Sequence, residues 1–438
     1  MSNATQSLAG TRITSLLDAN SFVEIGQGVT ARSTDFNMTA NKAPSDGVIT
    51  GYGVIDGNLV YVYSQDASVL NGTVGEMHAK KISALYDLAM KTGAPVIGLV
   101  DCAGMRLQEA TDALEAFGSI YLKQTLASGM IPQITAVFGT CGGGMAIIPA
   151  LTDFTFIESK NGKMFVNSPN ALDGNYTEKC DTAAAAFQSE ETGLVDGIGT
   201  EDEILGKIRE LVTYLPSNCE DTDSYMECTD DLNRVCEDIE NCTGDTAIAL
   251  SRIADNGQFF EVKADYGKSV AVGFIRLNGA TVGAVANRSE SYDAEGKKVW
   301  ESDGTLSARG ARKAAEFVKF CDAFDIPVLT LTNVTGFNAT VCSEKVMAKS
   351  IGELVHAFAS ATVPKVNVII GKAYGTAYVA MNSKSIGADL VYAWDNAEIG
   401  MMDASLAAKI MYADADAAEL NEKAAQYREL QNGVASAA

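Results

Sequence analysis

The segment MIPQITAVFGTCGGG, residues 130–144, joins an apolar, β-branched run to three consecutive glycines. Glycine weakens both helices and strands, so a cluster at this place predicts a tight turn or a close approach of the backbone to another group. The segment TVPKVNVIIGKAYGT, residues 362–376, has the same order of a proline, a strand-like run and a glycine turn. The chain therefore contains two related strand-and-turn segments.

The distance between these two segments recurs elsewhere in the chain. Three pairs of identical residues lie 232 positions apart, namely Pro95 and Pro327, Pro132 and Pro364, and Gly139 and Gly371. The segments LLDANSFVEI, 16–25, and IADNGQFFEV, 253–262, match at a similar distance of 237 positions. A spacing shared by separate matches indicates an internal duplication.

Each half of the chain repeats one order of predicted elements. A short helix, over 12–18 or 246–255, precedes paired strands and then an amphipathic helix, over 78–93 or 307–324. A continuous apolar strand follows, then a further helix and the strand that ends in the glycine turn. Alternating strands and helices predict βαβ units, and uninterrupted apolar strands are typical of parallel sheets. The sequence therefore predicts an α/β fold.

The length and the duplication together predict the domain organisation. A chain of 438 residues exceeds what one hydrophobic core usually serves. We expect one domain over 1–216 and a second over 246–438. The segment between them, 217–245, holds ten acidic residues and one arginine. Such a composition is typical of a solvated linker.

Charge and hydropathy exclude several classes of function. The net charge of −23 argues against nucleic acid as a partner, because binding to phosphates depends on Lys and Arg. The first residues contain no apolar signal-peptide core. The uncharged run over 124–152 is long enough to span a bilayer. Its prolines and glycines favour a buried strand, turn and helix instead.

Cysteine and histidine usage argues against a metal site. The nine cysteines form no CxxC pair, and the chain has only two histidines. The closest group, Cys219, Cys228, Cys236 and Cys242, contains no histidine, which disfavours zinc. Reduced thiols are typical of cytosolic proteins. We expect a cytoplasmic protein without a metal.

Two readings of the glycine turns follow from the residues alone. Each turn precedes a predicted helix, whose first N–H groups lack acceptors within the helix. Donors fixed in this way suit an oxyanion, and the candidates are Gly143 and Gly144 in the first turn and a related pair within Gly375-Thr376-Ala377 in the second. Close packing of helix against strand also requires small residues. The residues leave both readings open.

Five stretches give the chain a family resemblance over about 12–412. These are NGTVGEMHAKK (71–81), KTGAPVIGLVDCAGMRLQEA (91–110), ASGMIPQITAVFGTCGGGMAIIPALTDFTF (127–156), RKAAEFVKFCDAFDIPV (312–328) and ATVPKVNVIIGKAYGTAYVAM (361–381). They resemble carboxyltransferase subunits of biotin-dependent acyl-CoA carboxylases and related sodium-pumping acyl-CoA decarboxylases. The resemblance implies two tandem crotonase-like domains, each a ββα spiral, which agrees with the duplication.

The resemblance also implies roles for the two turns. In the family, amides of the first turn hold the enolate oxygen of a CoA thioester, and Gly143 and Gly144 match those positions. Amides of the second turn hold the ureido oxygen of biotin, and Thr376 and Ala377 match there. The first domain of one subunit faces the second domain of its partner, with the active site between them.

Two further substrate-binding candidates lie in a segment that departs from the family pattern. The stretch 102–106, Cys-Ala-Gly-Met-Arg, stands where the family has Ser-Gly-Gly-Ala-Arg. Arg106 and Gly104 match residues of that segment, which lines the CoA side. Most departures lie in the second half, where Gly375-Thr376-Ala377 replaces Gly-Gly-Ala.

The implied reaction needs few side chains, because biotin supplies the base and carries the carboxyl group. The chain has no ATP site and no biotinyl-lysine motif, so we expect biotin on a separate carrier protein or domain. Implied partners are an acyl-CoA substrate, a biotin carboxyl carrier protein, and biotin carboxylase or membrane decarboxylase subunits. The resemblance also implies a homo-oligomer, from dimer to hexamer.

Two other functions remain open at the level of sequence. One is a biotin-independent CoA-thioester enzyme of crotonase type. The other is a non-catalytic carboxyltransferase-like subunit that pairs with an active homologue. The acyl group and the direction of transfer are not indicated by any motif.

Overall fold

The computed structural model describes residues 7–32, 36, 43–175, 179–221, 224–231 and 233–437. The chain divides into two compact units, Met1–Ser224 and Tyr225–Ala438. The boundary falls within the segment predicted as a linker, part of which, 222–223 and 232, lies outside the described residues. The predicted domain ranges stay a prediction.

The first unit is built around one eight-stranded sheet. Its strands are β1 Val23–Ile25, β2 Val48–Ile55, β3 Asn58–Gln65, β4 Val96–Cys102, β5 Gln133–Gly142, β6 Phe154–Glu158, β7 Lys163–Phe165 and β8 Gly197–Gly199. Its helices are α1 Leu8–Leu16, α2 Glu76–Thr92, α3 Ala110–Ala127, α4 Ile148–Leu151, α5 Ala185–Phe187 and α6 Glu201–Tyr214. The strand order is β1-β2-β3-β4-β5-β6-β8, with β7 paired to β5. The pairs among β1, β2 and β3 are antiparallel, and those from β3 to β8 are parallel.

The second unit contains a seven-stranded sheet and a separate two-stranded hairpin. Its strands are β9 Phe259–Val262, β10 Val270–Leu277, β11 Ala280–Asn287, β12 Glu290–Tyr292, β13 Lys298–Glu301, β14 Val328–Val334, β15 Lys365–Tyr374, β16 Leu390–Ala393 and β17 Glu398–Gly400. Its helices are α7 Thr246–Ile253, α8 Ala308–Ala323, α9 Val341–Glu344, α10 Met347–Ser360, α11 Gly375–Ala380, α12 Ala404–Met411, α13 Ala417–Gln431 and α14 Val434–Ala437. The order is β9-β10-β11-β14-β15-β16, antiparallel up to β11 and parallel beyond, and β17 pairs with β15.

Local chemistry explains where these elements turn and end. The hairpin between β2 and β3 turns at Asp56 and Gly57, both with positive φ, as a two-residue type I′ turn requires. Helix α2 ends at Gly93, whose φ of +62° places it in the left-handed region that terminates helices. Helix α1 begins where Ser7 accepts a hydrogen bond from the amide of Gly10.

The structure confirms a mixed α/β fold with parallel sheets. The uncharged run over 124–152 is divided among the end of α3, strand β5, the glycine turn and helix α4. Across the described residues, every helix is too short or too polar to cross a bilayer.

Candidate functional site: two glycine turns

The first glycine turn joins β5 to α4 through a 3₁₀ helix, Gly143–Ile147. Gly143 and Gly144 are half-buried and open this helix. The first N–H groups of a helix have no acceptor within it, so these amides are available to an outside oxygen. The turn therefore provides the kind of donor pair that an oxyanion requires.

The three consecutive glycines are present for two different reasons. A Cβ atom on Gly142 would lie 3.0 Å from the ring of Phe165, and one on Gly144 would lie 2.9 Å from Tyr121 Oη. Gly143 has a φ of +62°, which side-chain-bearing residues rarely adopt, and its Cβ would meet nothing within 4 Å. Close packing accounts for the outer two, while the central glycine has a left-handed backbone beside open space.

Gly104 lies against the start of this turn. Its φ is +114°, and a Cβ built on it would lie 3.1 Å from the carbonyl oxygen of Gly142. Its own carbonyl accepts a hydrogen bond from Val74 at 2.9 Å, so the loop is held at the start of α2 as well. The structure thus places Gly104 beside Gly142, at the start of the turn, while substrate binding by Gly104 stays a prediction.

Arg106 points into the protein rather than into open space, with 1% of its surface exposed. Its Nη1 pairs with Glu109 Oε1 at 2.9 Å and with Asp46, and its Nη2 donates to the carbonyl oxygen of Thr73 at 2.7 Å. Substrate binding by Arg106 stays a prediction. The contacts that it makes tie the Gly104 loop to two buried carboxylates.

Those carboxylates, Asp46 and Glu109, cap helix α2 from outside. Glu109 Oε2 accepts from the amide of Glu76, and Asp46 Oδ2 accepts from that of His78, both at 2.7 Å. Anions are stabilised at the positive end of a helix. Burial raises the pKa of Asp46, and Arg106 opposes that shift. Burial lowers the pKa of His78 to about 3, so the ring is neutral at pH 7.

The second glycine turn lies between β15 and α11. Gly375 has a φ of +61° and is followed by Thr376, which is exposed, and by Ala377, which is buried. Thr376 lies within the helix with an ordinary negative φ, so its branched side chain creates no backbone strain. The amides of Thr376 and Ala377 lie in the first turn of α11, the position at which helix donors lack partners.

The second turn opens onto a cavity of about 640 Å³. The cavity is lined by Gly375, Thr376, Tyr378, Val379, Ile399, Gly400, Met401 and Gln431. Its walls are mainly apolar, and the start of α11 supplies backbone donors. This volume and chemistry are typical of small-molecule sites.

Sequence reasoning placed the glycines of both turns but missed Asp46, Glu109 and Tyr121. Glu109 lies three positions after Arg106, a spacing that allows an ion pair. Asp46 lies 60 positions before Arg106 and has no local signal. Tyr121 lies in a helix where an aromatic residue indicates only a packed face.

The chain is similar to known proteins over almost its whole length. The carboxyl transferase domain family matches residues 3–437. The chain is 40% identical over 413 residues to a propionyl-CoA carboxylase beta chain of Roseobacter denitrificans, covering 92% of this chain and 79% of the relative. It is 38% identical over 413 residues to methylmalonyl-CoA decarboxylase subunit alpha of Propionigenium modestum, with 92% and 78% covered.

Solved structures agree with the sequence relatives. Transcarboxylase 12S, described as a hexamer assembly with hydrolysed methylmalonyl-coenzyme A bound, superimposes with a TM-score of 0.90 at 33% identity. The match covers 99% of this chain and 85% of that one. The resemblance drawn from the sequence is confirmed, and the chain belongs to the carboxyl transferase domain family.

Proposed function

We propose that this chain is a biotin-dependent carboxyltransferase, which moves a carboxyl group between biotin on a carrier protein and the α-carbon, or vinylogous carbon, of a short acyl-CoA. The observation that carries the proposal is the pair of glycine turns. Each places a left-handed glycine, Gly143 or Gly375, at the start of a helix that follows a parallel strand. Relatives named for carboxylation and for decarboxylation both support transfer of a carboxyl group.

We infer that the two units are tandem crotonase-like domains derived by duplication. Contacts 232 positions apart support this inference. Asp101 Oδ1 accepts from the amide of Thr140 at 3.2 Å, and Asn333 Oδ1 accepts from that of Lys372 at 2.9 Å. Each contact lies just before a glycine turn, so both turns are fixed to a neighbouring strand in the same way.

A pair of buried lysines repeats at the same spacing. Lys81 in α2 and Lys313 in α8 each donate to two backbone carbonyl oxygens. Burial lowers the pKa of Lys81 to about 8 and that of Lys313 to about 7. A buried ammonium requires such partners, so the repetition indicates a shared way of closing the loop before the paired strands.

In this proposal the two turns bind different oxygen atoms. The amides of Gly143 and Gly144 bind the oxygen of the CoA thioester on which negative charge develops, with Gly104 supporting the turn. The amides of Thr376 and Ala377 bind the ureido oxygen, and the apolar cavity beside them fits the ring of biotin. Biotin, when bound, would supply the base and would give or accept the carboxyl group.

Assembly and partners belong to the same proposal. We propose a closed homo-oligomer in which the first domain of one subunit meets the second domain of its partner. A biotin carboxyl carrier protein would deliver biotin, with biotin carboxylase or membrane decarboxylase subunits as further partners. The relatives are named as the beta chain of a carboxylase and the alpha subunit of a decarboxylase, and the related transcarboxylase 12S is described as a hexamer assembly.

The experiment is conversion of methylmalonyl-CoA to propionyl-CoA by the purified chain, with and without free biotin as the acceptor of the carboxyl group. We expect turnover that depends on biotin and saturates with it, because the cavity beside Thr376 binds the free ring. Turnover at the same rate without biotin would favour the crotonase-type enzyme. Binding of the thioester without turnover under either condition would favour a non-catalytic subunit.

A further inference from the structure

We propose that Tyr121 is a positioning residue that clamps the first glycine turn through the carbonyl group of Gly144. The inference rests on the proposed role of the Gly143 and Gly144 amides. It adds a residue outside the turn that restrains the backbone directly after those amides.

The clamp is a direct contact. Tyr121 Oη donates a hydrogen bond to the carbonyl oxygen of Gly144 at 2.6 Å. The hydroxyl also occupies the space that a side chain at position 144 would need, since a Cβ there would lie 2.9 Å from Oη. Tyr121 and Gly144 are therefore fitted to each other in both shape and hydrogen bonding.

Helix α3 holds the tyrosine firmly. Phe117 lies one turn earlier, and its ring centre is 5.9 Å from that of Tyr121, with the ring planes tilted by 51°. The same Phe117 ring lies 3.5 Å from the Cβ position of Gly144. Burial raises the pKa of Tyr121, so the phenol keeps the proton that it donates.

A run of three glycines explains why a clamp is needed. Glycine has more backbone freedom than any other residue, so Gly142, Gly143 and Gly144 lose much conformational entropy on ordering. Oxyanion donors are effective only when they are fixed before the reaction. Holding the carbonyl of Gly144 fixes the peptide plane that follows it and restricts rotation about that residue.

The second unit supports the assignment by contrast. Position 376 lies 232 positions after 144, and position 353 lies 232 after 121; the residues there are Thr376 and Glu353. The second turn has no tyrosine at the matched position of helix α10, and it carries the side chain of Thr376 where the first turn has Gly144. The clamp therefore belongs to the proposed acyl-CoA turn and not to the other.

The test compares Tyr121→Phe with Tyr86→Phe. Tyr86 is buried in α2 and accepts a hydrogen bond from Gln124 at 3.3 Å, so its variant also loses one hydrogen bond of a buried tyrosine. For Tyr121→Phe we expect kcat to fall about tenfold, as loss of one hydrogen bond allows, with KM for acyl-CoA within about twofold of the parent. Amide hydrogen exchange in the peptide spanning 139–150 should accelerate. Tyr86→Phe should change neither quantity.

Hydrogen exchange separates this inference from the proposed function. If the parent chain shows no carboxyl transfer, the proposed function fails, yet faster exchange in Tyr121→Phe alone still supports the clamp. Unchanged exchange overturns the clamp whatever the activity. Faster exchange with an unchanged kcat overturns its role in the reaction, and an equal loss of kcat in Tyr86→Phe has the same consequence.

Discussion

Gly143→Ala is expected to lower kcat/KM for the acyl-CoA substrate by about 10²–10³-fold, the loss typical of removing one oxyanion donor. The added Cβ would point into open space beside the turn, because nothing lies within 4 Å of that position. It would therefore hold the substrate oxygen away from the amides of Gly143 and Gly144. Steady-state kinetics of biotin-dependent decarboxylation measure the effect.

Gly57→Ala is the matched control. Gly57 also has a positive φ, +86°, and open space around its Cβ position, but it lies in the β2–β3 hairpin. Both substitutions introduce comparable left-handed strain, so both should destabilise the fold by about 1 kcal/mol. Full turnover in Gly143→Ala, or an equal loss in Gly57→Ala, would assign the central glycine to folding alone.

Arg106→Met is expected to reduce the free energy of unfolding by about 3–5 kcal/mol at pH 7, the range for breaking a buried ion pair. The substitution removes the cation between Asp46 and Glu109, both buried, and leaves two carboxylates without it. The deficit should shrink as pH falls, because losing Arg106 removes the cation that opposes the burial-driven rise in the pKa of Asp46, and protonation of Asp46 then relieves the penalty. Urea unfolding at pH 7 and pH 5 provides the measurement.

Lys123→Met provides the control for that experiment. Lys123 and Asp87 form a partly exposed pair at 2.5 Å, and such pairs contribute about 0–1 kcal/mol. An Arg106→Met variant that matches the control in stability but raises KM for acyl-CoA would instead support direct substrate binding. A large loss of stability supports the buried cluster.

The positions of the glycines and the apolar runs before them predicted the strand and the turn in each half of the site. The strand before each turn, the turn itself and the parallel sheet all follow from patterns within about 15 residues of Gly143 and Gly375. The family was identified from the same stretches and is confirmed. These features are local, because backbone conformation and hydrophobic periodicity act over short distances.

The partners of polar side chains were not predictable in the same way. Sequence reasoning identified Arg106 only as a candidate for substrate binding, and only packing shows that Asp46 reaches it. The start of α2 illustrates the same limit. The helix was predicted to begin at residue 78 but begins at Glu76. Glu109, which lies 33 positions later, accepts a hydrogen bond from the amide of Glu76 and so caps the helix there. A helix cap that comes from a distant part of the chain leaves no signal in the sequence around the helix.

The fit between Tyr121 and Gly144 makes substitutions at these two positions epistatic. A larger residue at position 144 would clash with the hydroxyl of Tyr121. Removing that hydroxyl would leave the carbonyl group of Gly144 without its hydrogen bond from Tyr121. Conversion of this pair to the residues at the matched positions, Thr376 and Glu353, therefore requires two changes, each of which disturbs the fit when made alone.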